Sequence, residues 1–218
     1  MAKQIVTGEE YYELDGQLAE IKRQLRQPSG YPYRAQDLRT ALQDIIEGRL
    51  PLIGDGSRFP TWRTIKLGLH KDAQAYREAL EQAGRKSKIS DWAGDIIGKP
   101  AFTVSTEEID FELVRATVKE ITGKDRATTD EVFTSAERLD LFKCPAEVGL
   151  ALRLQYKEQP KGEWVRIAME PITDSDGDLN VFSVEHDDDG LWLYANYGSP
   201  AYVWYGGDTF VFARRKLS

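Results

Sequence analysis

Cysteine is almost missing from this chain. One thiol, Cys144, stands among 218 residues, beside only two histidines and two methionines. An intramolecular disulfide is therefore excluded, and a thiolate zinc site lacks ligands. No apolar run approaches the roughly 20 residues of a membrane span. The start, MAKQIVTGEEYYELDG, has no apolar h-region, so no signal peptide is expected, and the expected compartment is the cytoplasm. Positive charge is also short: 29 Lys and Arg face 36 Asp and Glu, a formal net charge of −7. Only the window 61–100 is locally basic. An acidic chain repels a polyanion at long range, so neither nucleic acid nor membrane is an expected partner. Phosphate-binding fingerprints are missing too, since Gly54-Asp55-Gly56 has the spacing of neither nucleotide motif. No G-x-S-x-G elbow accompanies His70 or His186. No cofactor is expected.

What remains is enough to build a core, with 41% hydrophobic and 11% aromatic residues. The pattern predicts an α+β fold in three stretches. Residues 1–55 read as an N-terminal helical hairpin. Thr7-Gly8-Glu9-Glu10 is a capping box, and Leu14, Leu18, Ile21 and Leu25 follow at helical spacing. Pro28-Ser29-Gly30 stops that helix. A second carries Leu38, Ala41, Leu42, Ile45 and Ile46 and ends at Gly48. Residues 50–60 form the expected loop and boundary.

Residues 56–122 read as a mixed segment. It holds a strand at 61–69, a helix at 71–83, a short helix SDWAGDII and a strand-like run at 101–119. The apolar phase of that run switches at Val114, which predicts a bulge or a change of sheet face. Residues 123–218 read as a helix pair followed by an antiparallel β-meander. Thr128-x-x-Glu131 is a second capping box. Pro145 suits the first position of the helix after it. VRIAMEPI, LNVFSVEH and LWLYANYG are strands between acidic, glycine-bearing turns.

That last third gathers acids and aromatics, so the candidate site residues lie there: Trp192, Tyr194, Tyr202, Trp204, Glu170, Glu185 and His186. Period-2 alternation puts Leu191, Leu193, Ala195 and Tyr197 on one face of the strand and Trp192, Tyr194 and Asn196 on the other. The first set suits the core, so partial exposure is expected for the second. Asp174, Asp176, Asp178 and Glu185 match positions 1, 3, 5 and 12 of a calcium loop. Leu179 stands at position 6, where an EF-hand needs Gly, and the flanks read as strands. The turn is therefore expected to be an Asp-rich hairpin that barely binds Ca²⁺, and no metal centre is predicted. His186 among Glu185, Asp187, Asp188 and Asp189 has the composition of a base or ligand, although a histidine beside a hairpin turn is commonly just solvated. Cys144 with His70 would make a nucleophile pair only if the fold joined them. Glu163, Trp164, Glu170, Trp192 and Trp204 together suggest sugar chemistry, which needs two carboxylates at a set separation. The pair 129–138 and 145–156 has a winged-helix outline, but its tip, TDSDGD, would point acids at phosphates.

Two segments, ISDWAGDIIGKPAF (89–102) and CPAEVGLALRLQYKEQPKGEWVRIAMEPITDSDGDLNVFSV (144–184), resemble a group of uncharacterised bacterial proteins from environmental genomes. The resemblance spans roughly 61–215. It implies a shared fold and transfers no activity or catalytic residue.

The function expected from the sequence is a non-enzymatic binding or protein-interaction module, with another protein as the partner. The alternative is a carboxylate-based hydrolase, metal-assisted or glycan-directed. Convergence of three or more of Glu163, Glu170, Asp174, Asp176, Glu185, His186 and Asp208 in one cleft would favour the hydrolase. The same residues splayed on turns would favour binding.

Overall fold

The computed structural model describes residues 7–26, Arg39, 59–83 and 87–214. The chain divides into two units, Met1–Arg58 and Phe59–Ser218. In the first, helix α1 (Gly8–Gln24) starts directly after Thr7, and Arg23 pairs with Glu20 one turn back at 2.6 Å. The expected second helix at 38–46 and the loop at 50–58 lie outside the described residues, apart from Arg39.

The second unit is built on one mixed sheet. Its elements are β1 (Thr61–Leu67), α2 (Ala73–Gln82), β2 (Ser87–Ile89), α3 (Asp91–Ile97), β3 (Ile109–Thr117), α4 (Val118–Thr122), β4 (Arg126–Thr128), α5 (Thr129–Glu137), α6 (Glu147–Gln155), β5 (Trp164–Ile167), β6 (Ile172–Thr173), β7 (Leu179–Asp187), β8 (Gly190–Tyr197), β9 (Val203–Tyr205) and β10 (Thr209–Ala213). The strand order is β1-β3-β10-β5-β7-β8-β2, with β6 added beside β7 and a separate β4–β9 ribbon. The fold is thus α+β. The meander β5-β7-β8 is antiparallel, as expected, whereas β10 runs parallel to β5 and β2 parallel to β8. The sheet crosses the expected division at 122/123, because β3 pairs with β10.

Local signals account for several boundaries. Thr128 caps α5 with a reciprocal bond from Glu131. The strand expected over 101–119 is shorter, because Thr117 and Glu120 form another capping box that opens α4. The irregularity expected at Val114 is present across the ladder. Thr61 pairs with Val114 and Arg63 with Leu113, so Trp62 is the extra residue and the bulge lies in β1. Helix α6 begins later than Pro145 suggests: Ala146 is its N-cap and Pro145 precedes it.

Helices α2, α3 and α6 cover one face of the sheet. Residues Glu147–Arg153 of α6 are all buried, which leaves this helix no face for a DNA groove. Two charged side chains are buried with it. Glu147 accepts hydrogen bonds from Gly68 N and Ser105 N at 2.7 Å each and from the Tyr76 hydroxyl at 2.6 Å. Arg153 donates to Gln159 Oε1 and to the carbonyls of Tyr156 and Glu185. Burial pulls its guanidinium down to about 10. Helices α4 and α5 and the β4–β9 ribbon cover part of the opposite face, where Phe133 and Trp204 meet Phe210 edge-on. Beyond Phe210 this second face opens toward β5, β7 and β8.

Candidate functional site

Residues paired across strands share a face, so the register lays out the open side. One row runs Phe210, Arg166, Ser183, Tyr194 across β10, β5, β7 and β8. The next runs Trp164, Glu185, Trp192. Trp192 and Tyr194 are half-buried, 5.3 Å apart between ring centroids. This is the partial exposure that alternation predicts. Trp192 donates from Nε1 to Asp187 Oδ1 at 3.0 Å and carries Lys88 over its ring at 4.7 Å.

Beneath them lies a polar chain. Asn196 Nδ2 donates to Ser183 Oγ at 3.0 Å, and Ser183 Oγ donates to Glu185 Oε1 at 2.6 Å. Glu185 is only 4% exposed. Burial raises its carboxyl above the usual range, and the hydrogen bonds and Arg166 oppose that rise only in part. Burial, with Glu185 next in order, also raises the Tyr194 hydroxyl. Arg166 pairs with Asp208 at 3.1 Å and lies between the rings of Trp164 and Trp204.

One cavity sits at the end of β8. It encloses about 310 Å³ and is lined by Trp92, Asp174, Asp176, Asp178, Asn180, Ala195, Asn196, Tyr197 and Tyr202. Three aromatics with large exposed fractions border it: Trp92 at 60%, Tyr197 at 55% and Tyr202 at 40%. Each is positioned by its own element. Ala93, Ile96 and Ile97 seat α3 in the core, which leaves Trp92 on its outer side. Tyr197 ends β8 and stacks on Tyr202 at 6.0 Å between centroids. Tyr202 in turn rests edge-on against Trp204 at 4.7 Å.

The acidic rim is the β6–β7 turn. Asp174 is consumed in holding it: Oδ1 accepts from Asp176 N and Asp178 N, and Oδ2 accepts from Asn180 Nδ2 at 2.7 Å. Gly177 supplies the positive φ of 93°. Ser175 fastens the turn to α3, donating from N and Oγ to Asp95, while Lys99 reaches both Ser175 and Asp95. These bonds, those from Ser175 first, hold the Asp95 carboxyl below its usual range. The carboxylates of Asp176 and Asp178 meet no donor and no cation among the described residues.

The sequence-predicted site residues are dispersed. Trp192, Tyr194 and Glu185 share the open face, and Tyr202 borders the cleft. Trp204 is 2% exposed, with its Nε1 donating to Thr129 Oγ1, so it supports Tyr202 from below. His186 falls on the opposite side of β7 from Glu185, and its Nδ1 pairs with the Gln159 carbonyl at 2.6 Å. Glu170 pairs with Lys143 at 2.7 Å and lines a different cleft with Phe133 and Pro171. Glu163 is held by Arg115 and by the Tyr156 hydroxyl. Cys144 is buried, with its thiol near the Val211 carbonyl, and burial pushes that thiol upward. His70 packs on Tyr76. Among the described residues, no three His, Cys, Asp or Glu side chains are grouped to hold a metal ion. No helix among them is long and apolar enough to cross a membrane.

Sequence reasoning missed Trp92, Asn180 and Arg166, and it placed Tyr197 on the core side. Trp92 had a signal, being a tryptophan beside Asp91 and out of phase with Ala93, Ile96 and Ile97. Tyr197 keeps the alternation but lies at the strand end, where the core no longer covers it. No protein-family model, curated protein or solved structure matches the chain.

Proposed function

We propose that this protein is a non-enzymatic binding protein whose site is the cleft between α3, the β6–β7 turn and the 197–202 segment. The observation that carries this reading is the grouping of Trp92, Tyr197 and Tyr202, all substantially exposed, around one cavity with two carboxylates that meet no donor and no cation among the described residues. Exposed apolar surface rimmed by polar groups is costly unless it meets a ligand, and aromatics dominate binding energy where they are rigidly held. Here Trp204 and the core face of α3 hold them. Glu163, Glu170, Asp174 and Asp208 are engaged in bonds of their own, and the two remaining acids of the cavity, Asp176 and Asp178, stand on a single turn. This favours binding over a carboxylate hydrolase, whose two carboxylates flank the substrate bond from opposite sides. A cytoplasmic setting fits a single buried thiol.

The test is a thermal-shift screen of peptides, oligosaccharides and metabolites on the full chain. Hits should vanish in Trp92→Ala and Tyr202→Ala, with the unliganded midpoint little changed. Hydrolytic turnover lost in Glu185→Gln or Asp208→Asn would overturn the reading.

A further inference from the structure

We infer that the cleft takes the cationic side chain, lysine or arginine, of a partner polypeptide. This rests on the cleft being the binding site. Among the described residues its lining holds three carboxylates, two amides and three aromatics, and no lysine or arginine. Asp174 is occupied by its own turn, whereas the carboxylates of Asp176 and Asp178 meet no cation among the described residues. Lys99, whose ammonium reaches the turn, is taken by Asp95 and Ser175. The cleft is therefore a negative site with aromatic walls. An ammonium or guanidinium gains from both: the carboxylates by Coulomb attraction, the ring faces by their quadrupole. The aliphatic stem of Lys or Arg suits the tyrosine walls. A bare metal ion gains nothing from the aromatics.

The surroundings point to a polypeptide as the carrier. Strand β2 pairs with β8 only at Leu191–Leu193. Past that point no strand among the described residues pairs with the outer side of β8, and Ala195 from that stretch lines the cleft. An extended segment lying along this side would deliver alternate side chains to the cavity. The turn and α3 are already joined through Ser175, Asp95 and Lys99, so the walls are set before the ligand arrives.

The test is an NMR titration of the full chain, following the Trp92 indole N–H, assigned with Trp92→Phe. The probes are blocked pentapeptides carrying one Arg or one Lys among glycines, with Gln in that place as control. Free argininamide, a neutral oligosaccharide and CaCl₂ alone complete the set. The Arg and Lys peptides should move the Trp92 signal and the Gln peptide should not. Binding should weaken about tenfold in the Asp176→Asn/Asp178→Asn double variant and in Tyr202→Ala. It should also fall as NaCl rises from about 50 to about 300 mM. All of these positions are exposed, and unchanged melting of the free variants would show that the fold is intact.

Equal binding of the Gln peptide, or indifference to the double Asn variant, would overturn the cation assignment. Argininamide binding as tightly as the pentapeptide would overturn the polypeptide carrier. Saturation by CaCl₂ alone would make the cleft a metal site. An oligosaccharide lost in Tyr202→Ala would sink this inference and leave the binding reading standing. No ligand in the cleft, together with hydrolysis lost in Glu185→Gln, would sink both.

Discussion

Trp204 meets Tyr202 edge to face at 4.7 Å between centroids, while its Nε1–H donates to Thr129 Oγ1 at 2.9 Å. The aromatic wall of the cleft is thereby tied to the first residue of α5. Thr129→Val keeps the volume and removes the acceptor, leaving a buried indole N–H without a partner. The expected loss is about 1–3 kcal/mol in urea unfolding. The Tyr202 ring should also become more mobile in aromatic ¹³C relaxation. An unchanged midpoint with an unchanged ring signal would remove the tie.

Glu147 is the anchor of the helical face. Its two oxygens serve three donors, from Gly68, Tyr76 and Ser105. Glu147→Gln replaces one acceptor oxygen with an NH₂ that faces another N–H. This variant should unfold about 2–3 kcal/mol more easily, and Glu147→Ala about 3–5 kcal/mol more easily. Chemical denaturation by tryptophan fluorescence measures both. A loss below 1 kcal/mol in Glu147→Ala would show that water replaces the carboxylate.

Glu185 gives the stability a pH dependence of definite sign. Its folded-state affinity for a proton is raised, mainly by burial. The folded protein therefore binds more protons than the unfolded chain between the ordinary glutamate range and the raised value. Through that window the contribution of Glu185 to stability falls as pH rises. Glu185→Gln, which cannot ionise, should gain in melting temperature relative to the parent as pH is raised from about 4 to about 7. A difference that stays constant or narrows would contradict a costly buried carboxylate.

Gly149 allows α6 to lie directly on β7. A Cβ there would fall 2.8 Å from Phe182 Cβ and 2.9 Å from its Cγ, near the fixed end of a fully buried side chain. Gly149→Ala improves helix propensity, yet crowding in a packed core costs about 1–3 kcal/mol and should win. Urea midpoints should fall in Gly149→Ala, and an unchanged midpoint would show that α6 shifts on β7 without cost.

Several of these features were legible before any fold was known. The Thr128–Glu131 box closes over three residues, so its chemistry is local and the string shows it. Thr117-x-x-Glu120 carries the same signature. Its surroundings read as a strand, and the helix signal lost to apolar alternation. The sides of Trp192 and Tyr194 followed from period 2, which any strand obeys. Strand β2, only Ser87–Ile89, had too few residues for a period. Its parallel pairing with β8 depends on a partner about a hundred residues away.

By itself, then, the sequence determined the α+β class, the order of most elements and the Asp-rich turn, because propensity, capping and alternation act within a few residues. It also determined the acidic charge, which no fold alters. Only the tertiary structure decided which of those acids and aromatics act together. Trp92, the Asp174–Asp178 turn and Tyr202 become one cleft because α3 packs beside β8 and Ser175 bonds to Asp95 across 80 positions. His186 and Glu185, adjacent in the chain, are parted because a pleated strand sends neighbours to opposite sides. Nearness along the chain and nearness in space are set by different forces, and binding chemistry depends on the second.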